Sequence, residues 1–171
     1  MNAKHILFAL GIAFILYSAF KQADAVQSIA FQGESYELSD TSRRSGSTIH
    51  MYTPGGTNFA RAGKYIQVVS MPEVDMPSEE FRRLYTDIVK KNDRYKKLSE
   101  NAFFYVEGNT SVHSALVQEG DIFKLYGYAV IQSEEEQRNP DSVVAKPAIA
   151  SALERTVRML PPPPTSISTW F

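Results

Sequence analysis

Residues 102–132, AFFYVEGNTSVHSALVQEGDIFKLYGYAVIQ, decide the fold. Three runs rich in β-branched and aromatic residues, 102–107, 111–118 and 122–132, are separated by Gly108-Asn109 and by Glu119-Gly120-Asp121. Gly, Asn and Asp tolerate the backbone angles of tight turns, so the stretch predicts three consecutive antiparallel strands in a meander. Side chains alternate across a strand. In the third run Phe123, Leu125, Gly127, Ala129 and Ile131 therefore share one face, which reads as the core face. Ile122, Lys124, Tyr126, Tyr128 and Val130 share the other. Gly127 and Ala129 leave room for close approach, so a helix is expected over their face.

Upstream, 28–31 and 36–38 flank Gln32-Gly33 and read as a short hairpin. Residues 40–47, DTSRRSGS, are polar and read as a loop, and 49–52 resumes an extended run that Pro54-Gly55-Gly56 breaks. Residues 65–71, YIQVVSM, are rich in β-branched side chains and stop before Pro72, as strands do. Pro77-Ser78 opens a helix in which Phe81, Leu84, Tyr85 and Ile88 form one apolar stripe at i, i+3, i+4 and i+7. Arg82, Arg83 and Asp87 are expected on its wet side. Downstream of the meander, 133–142 (SEEEQRNPDS) reads as a charged loop. A second helix is expected over 148–160, ended by the four prolines 161–164.

The first 25 residues stand apart. Lys4 supplies a positive start, residues 6–20 an apolar run, and Ala23-Asp24-Ala25 the small-x-small pattern that signal peptidase accepts. Cleavage between Ala25 and Val26 is expected, with an uncleaved anchor as the alternative. The run is short beside the roughly 20 residues of a membrane span. The expected organisation is a signal peptide over 1–25, a single α+β domain over 26–160 and a proline-rich tail over 161–171. The α+β domain is expected as an antiparallel sheet of about five to seven strands carrying two packed helices.

Charge and cysteine content narrow the function. The 18 Lys and Arg nearly balance 19 Asp and Glu, and the loss of Lys4, Lys21 and Asp24 with the leader leaves the balance near neutral. A nucleic-acid-binding domain shows a basic excess or stripe, which is not visible, so no nucleic-acid partner is expected. There is no cysteine. That removes lipid attachment after the leader and makes a periplasmic location more natural than a disulfide-stapled secreted one.

Motifs for chemistry are weak. Gly63-Lys64 suggests a phosphate loop, yet the glycine expected five residues earlier is Asn58, Tyr65 stands where a hydroxyl residue should follow, and a strand comes next. A dinucleotide fingerprint fails for the same reason. Beyond the leader the histidines are His50 and His113, each on an expected strand. A metal site would need them to meet beside a carboxylate, and an outward-facing imidazole is the simpler reading. No catalytic residue, cofactor or metal is therefore expected. At the C-terminus, Trp170 and Phe171 follow the proline segment and read either as a peptide for a partner's groove or as a plug for an apolar patch of their own domain.

The order hairpin, loop, strand, turn, strand, helix, meander and helix resembles the PsbP-like superfamily. Tyr52, Pro54 and Gly56, followed by the strand over 65–71, stand where those proteins often carry a Tyr-x-Pro-x-Gly turn, an aromatic residue and a strand. The resemblance implies an α+β sandwich with an accessory or binding role more often than catalysis. The leading expectation is an exported, periplasmic or secreted, non-enzymatic accessory protein that binds another envelope or secreted protein, with membrane attachment only through an uncleaved leader. The alternative is a small-ligand carrier or hydrolase-like enzyme with a pocket between sheet and helix, lined by Tyr105, Tyr126 and Tyr128.

Overall fold

Period-2 patterns dominate the chain, and they assemble into one sheet. The computed structural model describes residues 27–159 apart from 45, 72, 73, 75 and 121. The strands are β1 (Ser28–Phe31), β2 (Glu34–Arg44), β3 (Ser47–Pro54), β4 (Lys64–Met71), β5 (Asp93–Lys97), β6 (Ala102–Glu107), β7 (Thr110–Glu119) and β8 (Ile122–Ile131). They form an eight-stranded sheet in the order β1-β2-β3-β4-β8-β7-β6-β5, with every neighbouring pair antiparallel. The meander β6-β7-β8 lies where its sequence placed it. The long segment between β4 and β5 carries helix α1 (Ser78–Val89), and β8 is followed by α2 (Glu134–Arg138) and α3 (Pro147–Met159).

The sheet has one strand more than the expected five to seven, and one expected strand is longer than its sequence suggested. Residues 40–47 are not a loop: β2 runs through Arg44 and pairs Asp40 with Met51 and Arg44 with Ser47. Its polar side chains are mostly exposed, so polarity there reports a wet strand face, not an unpaired backbone. The added strand, β5 (DRYKK), forms the edge beyond β6. Lysine on an edge strand discourages pairing with other chains, and it hides the strand from hydrophobicity patterns. Residues 133–142 are likewise not wholly loop. Ser133 caps α2 by accepting from the Glu136 N–H, while the Glu136 carboxylate accepts from the Ser133 N–H at 2.8 Å, a complete capping box.

Both faces of the sheet are core, which corrects the expectation of a single core face on β8. On one face α1 presents Phe81, Tyr85 and Val89, one helical turn apart, to Phe103, Leu116 and Phe123. The rings of Phe81 and Phe123 lie 4.4 Å apart, and those of Tyr85 and Phe103 5.7 Å apart edge to face. Each buried side chain of this size stabilises by roughly 1.5–3 kcal/mol. Arg83 and Asp87 are exposed as expected, whereas Arg82 is half-buried and donates to Asn101. On the opposite face α3 packs Leu153 against Tyr126, Tyr128, Ala115 and Val68. Helix α3 touches β6, β7 and β8 and also β1, so the sheet curls around it. Lys124 is 2% exposed there and donates to Glu119.

The Pro54-Gly55-Gly56 break is a turn. Gly55 and Gly56 adopt φ +56° and +68°, a region glycine enters without a Cβ penalty, and a 3₁₀ turn at Phe59–Arg61 leads into β4. Lys64 faces no phosphate-type loop: its ammonium bonds the Glu34 carboxylate at 2.6 Å. The expected cleavage position Ala25–Val26 and the tail residues Trp170 and Phe171 lie outside the described residues.

Candidate functional site

The most distinctive site grows from the two smallest side chains of β8. Helix α1 covers the end of its face built by Phe103, Leu116 and Phe123, but farther along β8 that face offers only Gly127 and Ala129. The helix expected over this pair is absent from it. Register fixes what surrounds the gap. Gly127 lies between Gln67 of β4 and Ser114 of β7, and Ala129 lies between Tyr65 of β4 and Val112 of β7, which in turn opposes Tyr105 of β6. Tyr65 and Tyr105 thus flank a trough of small residues from strands three spacings apart, about 14 Å. The 3₁₀ turn adds Phe59, whose ring meets that of Tyr65 edge-on at 4.8 Å. The resulting cleft has a volume of about 390 Å³ and extends to Glu107, Gly108, Asn109 and Thr110 at the β6–β7 turn. That is the scale of a small-molecule site.

Its polar groups are few. Gln67 lines the cleft, and its Nε2 is buried with no hydrogen-bond partner among the described residues. An unsatisfied buried donor of this kind costs about 1–3 kcal/mol, so it calls for a reason. Ser114 is occupied at depth, where its Oγ accepts from the Tyr85 hydroxyl at 3.2 Å. Among the described residues that line the cleft, Glu107 alone carries a charge. It forms no ion pair with any described residue. The residue is exposed at the rim of the cleft, and partial desolvation of its carboxyl raises its pKa above the ordinary carboxylate value. Tyr65 is raised first by burial and then by the Glu107 charge, and Tyr105 is raised well above a normal phenol by burial and by its neighbours Tyr85 and Glu107. These phenols stay protonated at neutral pH and act as donors, not as bases. The arrangement can hold a molecule by stacking, one amide and one carboxylate. It sets no nucleophile beside a base.

Of the tyrosines expected to line a pocket, Tyr105 does so. Tyr126 and Tyr128 do not: strand alternation puts them on the α3 face, buried with Leu153. The histidines also miss the cleft. His50 sits on β3 with Nδ1 3.1 Å from the Thr41 hydroxyl, and burial followed by the nearby Arg43 charge lowers its pKa. His113 on β7 is 5% exposed, not outward-facing, and its Nε2 accepts from the Lys146 backbone N–H at 3.0 Å. Strands β4 and β8 separate the two. Among the described residues no group of three or more His, Asp or Glu is placed to hold a metal ion, and no helix is long and apolar enough to cross a membrane. A second, more open depression at Pro54, Thr57, Arg61 and Lys64 follows the glycine turn, with Lys64 already tied to Glu34.

Sequence reasoning missed Gln67. Two signals were present: one amide inside the β-branched run YIQVVSM, and two adjacent small positions on one face of IFKLYGYAVIQ. Neither becomes a site until the register sets one beside the other. No protein-family model matches this sequence, and neither a curated protein nor a solved structure shows a significant match to it.

Proposed function

We propose that the chain is an exported, non-enzymatic binding protein that takes a small organic molecule in the Gly127–Ala129 cleft. One observation carries this reading: a glutamine with a buried, unpartnered Nε2 lines a 390 Å³ cleft walled by aromatic rings. A turn of the Gln67 side chain toward the cleft would bring that donor to a ligand acceptor, and apolar ligand surface would lie against Ala129 and Val112. This reading keeps the carrier half of the alternative drawn from sequence, a small-ligand carrier or hydrolase-like enzyme with a pocket between sheet and helix, but moves the pocket to the sheet face that no helix covers. The likeness to PsbP-like proteins, carried by Tyr52, Pro54 and Gly56, belongs to the same proposal, since it too implies binding in place of catalysis. Export rests on the leader pattern of residues 1–25.

The test fills the cleft without disturbing the strand. A Cβ at Gly127 would meet only Val112 Cγ1, at 3.8 Å, which is ordinary contact, and the backbone there is not in the left-handed region. Gly127→Val therefore keeps β8 and narrows the trough. In a fragment screen read by thermal shift, wild-type protein is expected to yield hits that Gly127→Val loses while retaining its own melting transition. Hits shared equally by both proteins would place binding elsewhere and overturn the reading.

A further inference from the structure

We infer that the cleft selects organic cations: its ligand carries an ammonium group that sits between Glu107 and the rings of Tyr65 and Tyr105. The inference rests on the small-molecule reading above and gives the ligand its chemical class. Charge is the first support. Glu107 is the only charged side chain among the described residues lining the cleft, and no described cation pairs with it. An anion would meet a bare carboxylate there, whereas a cation would complete an ion pair that the fold leaves unmade.

Aromatic placement is the second. Tyr65 and Tyr105 stand on opposite flanks, and Phe59 holds Tyr65 edge-on at 4.8 Å. Electron-rich ring faces beside a carboxylate are the usual surroundings of a bound ammonium. Glu107 is exposed at the cleft rim, where its carboxylate is open to a ligand.

Geometry sets the shape of the ligand. Register aligns Glu107 with Thr110 and Ile131, and Gln67 with Gly127. Four residues along β8 separate these levels, about 13 Å at strand rise. A molecule that uses both groups is therefore elongated: ammonium at the Glu107 end, apolar body over Ala129 and Val112, and a hydrogen-bond acceptor toward Gln67 Nε2.

Three near-isosteric probes separate the charge from the body: phenethylammonium, phenethyl alcohol and phenylacetate. Their binding to the wild-type full chain is followed by amide chemical shifts, alongside Glu107→Gln and Gly127→Val. Phenethylammonium is expected to bind at least about fivefold tighter than the alcohol, with phenylacetate weakest and the preference shrinking as salt rises. Glu107→Gln should cut the ammonium-to-alcohol ratio several-fold while keeping alcohol binding, and Gly127→Val should weaken all three. Equal binding of ammonium and alcohol at the cleft would overturn the cation inference and leave the small-molecule reading standing. An ammonium preference undiminished by Glu107→Gln would overturn it too. No cleft shifts with any probe would overturn both.

Discussion

Acidification should loosen α3 through one buried imidazole. His113 is 5% exposed, packs its ring 4.9 Å from Phe104, and accepts the Lys146 N–H at the entry to α3. Burial first, and the Lys146 charge second, lower its pKa from 6.5 to about 4. Because the folded value lies below the unfolded one, the unfolded chain takes up the proton first. The stabilisation is complete above pH 6.5 and is lost as pH falls toward 4. At roughly 1.4 kcal/mol per pKa unit the full loss is about 3 kcal/mol, and solvent reaching part of the ring reduces this to about 2 kcal/mol. Protonated Nε2 can no longer accept from Lys146, so the lead-in to α3 is the segment released. Urea unfolding from about pH 7.5 to about pH 4.5, on wild type and His113→Gln, isolates the contribution from that of the carboxylates. Gln keeps an acceptor but has no titrating group. Its lost ring packing lowers stability at neutral pH, and the gap from wild type should close by about 2 kcal/mol on acidification. Parallel stability curves for the two proteins would refute the reasoning.

Other substitutions probe separate parts of the structure. Gln67→Leu removes the buried, unpartnered donor, so it should raise stability by about 1 kcal/mol in urea unfolding while weakening cleft binding of acceptor-bearing fragments. Leu153→Ala empties the most buried contact of α3 and should cost about 2–5 kcal/mol by the same measurement. Glu119→Gln strands the Lys124 ammonium, whose side chain is 3% exposed, and should destabilise by about 3 kcal/mol, more than Lys124→Met. Ser133→Ala breaks the capping box of α2 and should cost about 1 kcal/mol locally, seen as faster amide exchange over 134–138.

Much of the fold could be read from the sequence where one residue type carries one message. The meander β6-β7-β8, the strand over 65–71 and both long helices lie within a residue or two of their expected places, because apolar periodicity and turn residues agree there. Two readings, the loop over 40–47 and the loop over 133–142, failed because polarity was taken as absence of structure. Lys124 is polar and buried because Glu119 meets it, and β5 is polar and paired because it forms an edge. Tyr126 and Tyr128 were expected to line a pocket, but strand alternation buries them with Leu153 on the α3 face, and the cleft belongs to the face of Gly127. Tyr105 could be found by its run of aromatic neighbours. Gln67 could not, since its partners in the site come from β8, β7 and β6, and only long-range register brings them together.

Amide chemical-shift mapping of the full chain against a mixed library of neutral and cationic fragments tests the cleft most directly. Binding at this site should shift Gln67, Val112, Gly127 and Ala129 together and leave His50 and the α3 face unmoved, and Gly127→Val should abolish the pattern. Shifts that scatter over other surfaces, or that persist unchanged in Gly127→Val, would contradict a binding site between Tyr65 and Tyr105.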